Sequence, residues 1–558
     1  MSWKIVEKYR RLLAEEEGAS PRGWGGKLTV CLVYPNRYYT AMSNLGLQAV
    51  HSQLNAHPDV VCERAFLPDP DDLAEYEKSR TPLLSLESQR PLTDFHVIAF
   101  SVSFESDYLN MPAIFRLAGI PPLAQERDGS HPLVMAGGAA LFLNPEPVAD
   151  FLDLVCIGEA EPLLPTLLDL LRSGAGEGRQ ELLARAARLP GIYVPSLHEL
   201  EYDGLRIVTR RPLAGAPELV ERQWLGELDR HATTSELLTP RTEFADMYLI
   251  ELSRGCPRGC RFCAAGFIYL PYRQRSLEEI KVQVRRGLKE RQKLGLVGAA
   301  VSDFKGIGEL CRFILQEGGK VSVSSLRLDQ LDGEMIAVLK ASGHKTVALA
   351  PEGGSQRLRN LVKKDITEDQ ILAACDLLIG NDILNLKLYF IIGLPTETTA
   401  DLEELVVLVE KIRARVIAAA KANRRLGEVV LSVNPFVPKP FTPFQWCGME
   451  DMKSLEKKGQ FLKKSVGRLS NVRLQMESPR EAYLQALLSR GDRRMAALLL
   501  KADETGSWKR AAKALQFDTD SWVYRTIPPN EILPWDFIAR GSRERLEREY
   551  RLAFVDQA

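Results

Sequence analysis

Six short apolar runs recur between residues 246 and 446, and each is followed by a turn or a helical stretch. They are "MYLIEL" (247–252), "GAAVSDF" (298–304), "KVSVSSLRLD" (320–329), "TVALAPE" (346–352), "NLKLYFIIGLP" (385–395) and "VVLSVNPFVP" (429–438). Stretches such as "SLEEIKVQVRRGLKERQKL" and "TADLEELVVLVEKIRARV" separate them with helical periodicity. Parallel strands need crossovers of this kind and read as apolar runs, because helices cover their outer face. Six such βα units predict a complete or partial TIM-like (β/α)6 barrel over 246–446, with functional groups at the C-terminal ends of its strands.

An earlier series has the same grammar. "LTVCLVYP" (28–35), "VVCERAFLP" (60–68), "VIAFSVSF" (97–104), "PLVMAGG" (132–138) and "DLVCIGE" (153–159) predict an open, Rossmann-like parallel sheet over 27–175. Turn-forming residues close several of these runs (Pro35, Gly137-Gly138, Gly158), at the edge where doubly wound sheets bind ligands. Residues 1–26 form a charged amphipathic helix suited to docking. A connector with hairpin-like pieces follows at 176–245, and 447–558 reads as a helical C-terminal domain. With 558 residues, two to four domains are expected.

The charge balance excludes a global field for nucleic acid or membranes, since Lys+Arg and Asp+Glu are both 73. No apolar run reaches the length of a membrane helix, and the N-terminus has no signal-peptide stretch. Nine cysteines, few for the length and unevenly spread, suggest a reducing, cytoplasmic setting. For the basic stretches "SRGDRRM" and "GSWKRAAKAL", a solvated helix face is the default and RNA phosphate the minority reading.

Three of those cysteines are crowded. "SRGCPRGCRFC" (253–263) places Cys256, Cys260 and Cys263 directly after the first barrel strand. A Cys260–Cys263 disulfide would leave Cys256 unexplained. Structural zinc takes four ligands, and the nearest histidines, His231 and His344, are far off in sequence. An iron–sulfur cube with three thiolates and one open iron is the third reading. Gly255 and Gly259 would let the backbone wrap such a core, and Arg254, Arg258 and Arg261 would either offset thiolate charge or sit solvated in the loop. The other six cysteines read mainly as small buried hydrophobes, with Cys447 the one to test as a catalytic thiol.

The form Cys-x3-Cys-x-Phe-Cys, at that place in a βα barrel, resembles the radical S-adenosylmethionine (SAM) superfamily. The resemblance implies a [4Fe–4S] cluster on the three cysteines, SAM bound to its open iron, and one-electron cleavage to a 5′-deoxyadenosyl radical. It also implies an electron donor of the flavodoxin or ferredoxin type. By the same resemblance Phe262 packs near the adenine, and Ser302 and Asp303 substitute for a Gly-Gly-Glu-like segment on the SAM amino group. Arg327 would pair with the SAM carboxylate and Glu352, in "APEGGSQRLRNLVKKDIT", would approach the ribose. Gly393, Pro395 and Glu397 in "IIGLPTET" match the superfamily's Gly-x-Pro-x-Glu turn, while Thr398 and Asp401 also read as a helix cap. "NPFVPKPFTPFQW" reads equally as a lid or floor of the site and as a structural crossover.

The first series resembles the cobalamin (B12)-binding-like domain carried by some radical SAM proteins, in a subgroup whose reaction is not established. "ILPWDFIARGSRERLEREYRLA" also resembles that subgroup and implies a chain that ends there. No Asp-x-His-x-x-Gly occurs, so a bound cobalt would take no lower ligand from that motif. Gly137, Gly138 and Gly158-Glu159 would then contact the corrin or its tail; equally, the sheet is a scaffold that has lost B12. The functional expectation is a radical SAM enzyme: methyl transfer to an unactivated carbon with cobalamin, hydrogen abstraction without it, on a substrate that could be tRNA or protein. The competing expectation is a non-catalytic iron–sulfur or zinc scaffold that docks a partner.

Overall fold

The computed structural model describes every residue except 20, 175, 324, 325, 424, 540 and 556–558. Its first sheet runs Val60–Phe66, Leu28–Tyr34, Val97–Ser101, Leu133–Gly137, Leu154–Cys156, Ile192–Tyr193. The first five are mutually parallel and Ile192–Tyr193 is antiparallel at the edge. Strand order 2-1-3-4-5 places a topological switch between Leu28–Tyr34 and Val97–Ser101, where a crevice must open at the C-terminal edge. Apolar runs such as "VCLVY" are buried throughout because helices cover both faces. The helix Leu45–Ala56 starts at Asn44, whose side chain accepts the Leu47 amide at 2.9 Å. The N-terminal helix docks through Ile5, Val6, Tyr9 and Leu12, as its amphipathic pattern predicts, but it spans Trp3–Ala14 and not the whole of 1–26.

The barrel is built from Met247–Glu251, Lys293–Val297 and Lys320–Val323, then Thr346–Glu352, Asn385–Ile392, Val429–Pro435 and Val472–Met476. All neighbours are parallel, and among the described residues one bridge, Leu326 to Leu349, links the three-stranded and four-stranded parts. The α/β architecture with an open first sheet, a partial barrel and a helical C-terminal segment is as expected, with two differences.

The second barrel strand is Lys293–Val297, not 298–304. The strand follows helix Leu277–Glu290 almost directly, and Gly295 is the register partner of Leu249, where a Cβ would lie 2.5 Å from the Leu249 side chain. Residues 298–304 form the following loop, with a short 3-10 turn at Val301–Asp303. The second difference is a seventh strand, Val472–Met476, which the helical C-terminal segment contributes to the barrel edge. Ser324 and Ser325, in the third candidate strand, lie outside the described residues.

Along Asn385–Ile392, buried and half-buried residues alternate. Leu386, Leu388, Phe390 and Ile392 face the helices, whereas Lys387, Tyr389 and Ile391 face a lumen that is not closed off. Ser432 and Asn434 repeat the pattern on the next strand. The connector carries the antiparallel hairpin His198–Asp203/Arg206–Pro212 that its sequence suggests. No helix among the described residues is long and apolar enough to cross a membrane.

Candidate functional site

The three thiols sit on one loop closed by a two-residue ribbon. Ser253 and Arg254 pair antiparallel with Gln274 and Arg273, so residues 255–272 leave and return at the same point above the first barrel strand. Gly255 is required at the throat, with φ +83° and an imaginary Cβ 2.6 Å from the Tyr269 carbonyl oxygen. Gly259 meets no such constraint; only the Lys363 side chain is near it.

Cys260 is buried at 8 % exposure, and Cys256 and Cys263 are half-buried. All nine cysteines are free thiols. The Cys263 amide donates to the Cys260 carbonyl at 3.1 Å, which winds the loop into a tight turn. The Gly266 amide donates to the Cys263 carbonyl at 3.2 Å, so the backbone turns again directly after the third thiol, and the nearby Gly266 and Ala265 amides oppose the rise that burial imposes on that thiol. Burial pushes Cys260 up to about 11, with Lys364 and Arg327 opposing that rise. Burial likewise raises Cys263. Thiols held in this way bind metal only with release of their protons. Among the described residues, no three His, Cys, Asp or Glu side chains converge closely enough to grip a single ion.

The loop arginines are engaged by groups other than the thiols, Arg254 and Arg261 largely buried and Arg258 half-buried. Arg254 donates to Glu159 at 2.8 Å and to Glu161 at 2.7 Å, and to Glu251 at 3.0 Å. Arg258 is paired with Asp303, although Cys256 acts on it by charge. Arg261 donates to the Leu361 carbonyl at 2.9 Å and to Glu549 at 3.3 Å. Each guanidinium is a strut, and the cations that act on Cys260 are Lys364 and Arg327 instead.

The expected SAM-site residues come from successive strand ends, as a barrel rim requires. Asp303 is held by Arg258, and the Ser302 hydroxyl accepts the Arg327 amide at 3.1 Å. The Arg327 guanidinium itself bonds Asp329, at 2.9 Å through both contacts. Glu352 adopts φ +65° and receives Lys364 at 3.2 Å; a non-glycine residue in this region marks a backbone held by its surroundings. Phe262 packs against a small apolar cluster that includes Leu358, Leu361, Val362 and Phe444. Backbone bonds stitch the same neighbours together: the Arg261 amide to the Val362 carbonyl at 3.0 Å, and the Phe444 amide to the Arg261 carbonyl at 3.2 Å. The Pro-aromatic segment therefore touches the thiol loop directly.

Gly393 has φ +72°, and its amide donates to Glu397 at 2.7 Å, which also holds Lys458 at 2.7 Å. The capping reading of the neighbouring turn holds too: Asp401 accepts the Thr398 amide at 2.8 Å at the head of helix Thr399–Asn423. Cys447 is buried, with its thiol pushed up to about 12 by burial, which argues against a nucleophile.

A cavity of about 640 Å³ lies between the first sheet's C-terminal edge and the barrel. Ala99, Phe100, Met135 and Gly137 line it from one side, and Leu249, Leu296 and Val323 from the other. Gly137, Gly138 and Gly158 all belong to its wall. Two of them are fixed by backbone crossings: a Cβ at 138 would lie 2.3 Å from the Val102 oxygen, and at 158, 2.2 Å from the Gln223 oxygen. At Gly137 the nearest atom is the Cys156 Cβ at 3.5 Å, an ordinary contact. Glu159 is turned toward the thiol loop and is fully engaged there.

Comparison with known proteins bears on this arrangement. Residues 46–195 match the family described as radical SAM proteins, N-terminal, and residues 250–409 match the radical SAM superfamily, so two matched regions span more than half the chain. The chain belongs to the radical SAM superfamily. It is similar to an uncharacterized protein of Methanocaldococcus jannaschii, 29% identical over 473 residues, covering 84% of this chain and 90% of that one. It is also similar to the tRNA-2-methylthio-N(6)-dimethylallyladenosine synthase of Thermotoga petrophila, 29% identical over 197 residues, covering 31% of this chain and 42% of that protein. Among solved structures, the cobalamin-dependent SAM radical enzyme OxsB with aqua-cobalamin bound aligns at TM-score 0.47 and 14% identity, covering 95% of this chain and 79% of that one. The radical SAM methyltransferase TsrM from Kitasatospora setae aligns at TM-score 0.45 and 15% identity, covering 75% and 74%.

For a radical SAM chain, the residues that sequence reasoning missed are those reaching the thiol loop from far away: Glu159, Glu161, Lys364 and Glu549. Glu159, Lys364 and Glu549 each sit in a stretch already singled out, but none of those readings placed them at the thiol loop. Glu549 occupies the exposed-looking helix Arg543–Val555, and nothing in its local pattern distinguishes it from its charged neighbours.

Proposed function

We propose that this chain is an enzyme that holds a [4Fe–4S] cluster on Cys256, Cys260 and Cys263 and uses it with SAM to make a 5′-deoxyadenosyl radical. The observation that carries this reading is the position of the three thiols: one throat-closed loop at the C-terminal end of the first strand of a parallel barrel. The donor set fits. The Ala265 and Gly266 amides lie beside Cys263 and would favour its thiolate, and Lys364 supplies positive charge at Cys260. The chain's other residues would bind and orient the cosubstrate. Asp303 and Glu352 are carboxylates at strand ends, each matched to one cation, and so are suited to an ammonium and to hydroxyl groups. Arg327, steadied by Asp329, faces the same rim and suits a carboxylate. Phe262 and the Pro-aromatic segment would exclude water from this end of the lumen.

A second reading adds cobalamin, and it is favoured by the cavity at the switch-point edge of the first sheet, which is mostly apolar and opens toward the barrel. No histidine lines it among the described residues, so the cobalt would have no imidazole lower ligand there. Methyl transfer is the reaction this pairing suggests. The half-exposed Lys387, Tyr389, Ser432 and Asn434 give the lumen polar groups for a substrate. The partial likeness to a tRNA-modifying synthase makes an RNA or a protein the substrate class we favour, with a flavodoxin- or ferredoxin-type electron donor.

The test is anaerobic reconstitution, reduction with SAM present, and assay of 5′-deoxyadenosine. An iron- and sulfide-loaded chain that cleaves no SAM would overturn the enzyme reading and leave a scaffold. Hydroxocobalamin retained at about one cobalt per chain, by elemental analysis, supports the second reading; none retained removes it.

A further inference from the structure

Glu159 belongs to the first sheet, yet its carboxylate holds both feet of the thiol loop. It lies immediately after Gly158, at the N-cap of helix Ala160–Ser173, and is only 5 % exposed. Arg254, on the incoming limb, donates to Glu159 at 2.8 Å. Arg273, on the outgoing limb, donates to both carboxylate oxygens, at 2.7 and 3.0 Å. These two arginines are the paired residues of the ribbon that closes the loop. The Leu225 amide adds a fourth bond at 3.0 Å, and Arg222 lies 3.9 Å away.

The outgoing limb is tied further. Arg273 also donates to the Pro271 carbonyl at 2.9 Å and to the Tyr269 carbonyl at 3.2 Å, so one guanidinium bridges Glu159 and the loop backbone. Glu161 accepts from Arg254, at 2.7 and 3.1 Å. The incoming limb thus has a second anchor, whereas Glu159 is the only carboxylate paired with Arg273 among the described residues. Glu159, Glu161, Arg254, Gly255 and Tyr269 also form the wall of the inter-sheet cavity, and any occupant of that cavity would lie against this clamp.

We propose that Glu159 is a positioning residue for the thiol loop: it fixes the separation of the loop's two limbs, and through it the first sheet is a working part of the thiol site. The proposal extends the cluster reading above and predicts a change in the thiols even before any metal is added. A buried carboxylate that served only overall stability would loosen the molecule evenly. A positioning carboxylate releases the loop selectively, because opening of an irregular segment is a local event.

The test uses the full-length chain and the variants Glu159→Gln, Glu159→Asp and Glu161→Gln. In the metal-free protein, alkylation by iodoacetamide is followed by mass spectrometry at Cys256, Cys260 and Cys263, with buried Cys447 as the internal control. Glu159→Gln is expected to speed alkylation of the loop thiols about tenfold with Cys447 unchanged. Glu159→Asp, which keeps the charge, recovers part of the native rate, and Glu161→Gln has the smaller effect. After reconstitution, the electron paramagnetic resonance g-values of the reduced cluster should shift in Glu159→Gln. Loop thiols that react at the native rate, or that rise together with Cys447, overturn the proposal. Should Glu159→Gln fail to fold, the paired change Glu159→Gln/Arg273→Gln, which leaves no unmatched charge between those two positions, is judged by the same ratio. A native chain that takes up no iron and sulfide would instead sink the cluster reading and leave the alkylation result standing.

Discussion

Arg261 Nε lies 3.3 Å from the Glu549 carboxylate, joining the residue between the second and third thiols to a helix 288 positions further along the chain. Lys363 completes the arrangement at 2.7 Å, so one carboxylate steadies both the thiol loop and the segment after Glu352. Burial pushes Glu549 up, but Lys363 and Arg261 outweigh it and hold the carboxylate below its ordinary range. Replacing Glu549 by Gln should lower stability by about 1–3 kcal/mol, because the largely buried Arg261 loses its charged partner. Urea midpoints measure the loss, and iron content after reconstitution should fall with it.

Each loop cysteine should be needed for metal uptake, and the buried ones should not. Cys260→Ala is expected to abolish the brown absorbance and the iron and sulfide content, whereas Cys447→Ala and Cys375→Ala keep both. Equal iron in native and Cys260→Ala protein would refute the assignment of that thiol as a ligand.

Two glycines of the cavity wall should behave oppositely. Gly158→Ala forces a Cβ to within 2.2 Å of the Gln223 oxygen at φ +136°, and should cost about 2 kcal/mol or more. Gly137→Ala meets only an ordinary contact at 3.5 Å and should fold with less than about 1 kcal/mol of loss. The comparison is read from denaturant midpoints, and similar losses at both positions would contradict the backbone-crossing account of Gly158.

Acid should weaken the fold through His198. Burial pushes this imidazole down to about 4, with Arg210 and Arg493 adding to the effect and Glu146 opposing it. The folded chain keeps His198 neutral while the unfolded chain takes up a proton below its ordinary value of 6.5. Its contribution is therefore fully present above 6.5 and is lost as the pH falls toward about 4. His51 has the same sign, lowered to about 3 first by burial and then by Arg64. Melting temperature should fall between pH 7.5 and 5.5, and His198→Phe should flatten that slope; an unchanged slope would rule His198 out.

Strands that alternate with well-capped helices were legible in the residues themselves. Thr398 with Asp401, the "VCLVY" run and the Gly137-Gly138 turn each carry a local physical signature. The second barrel strand was not, because "RQKLGLVGAAV" has no turn residue where the helix stops, and its small residues resemble a strand further on. Val472–Met476 was missed because an edge strand with Arg473 and Gln475 is half exposed and only weakly apolar. In the candidate site, the thiol triplet was readable as a local pattern. Its struts were not: Glu159 and Arg254 are 95 residues apart, and only the packing of one sheet against the other brings them together.

The placement of Glu549 has a consequence for biosynthesis. The stretch bearing Cys256, Cys260 and Cys263 emerges from the ribosome long before the helix Arg543–Val555 that packs beside it. With 288 residues between Arg261 and Glu549, translation at ordinary rates leaves that stretch without its final partner for roughly a quarter of a minute to a minute. During that interval Arg261 and Lys363 lack the carboxylate that joins them in the finished fold.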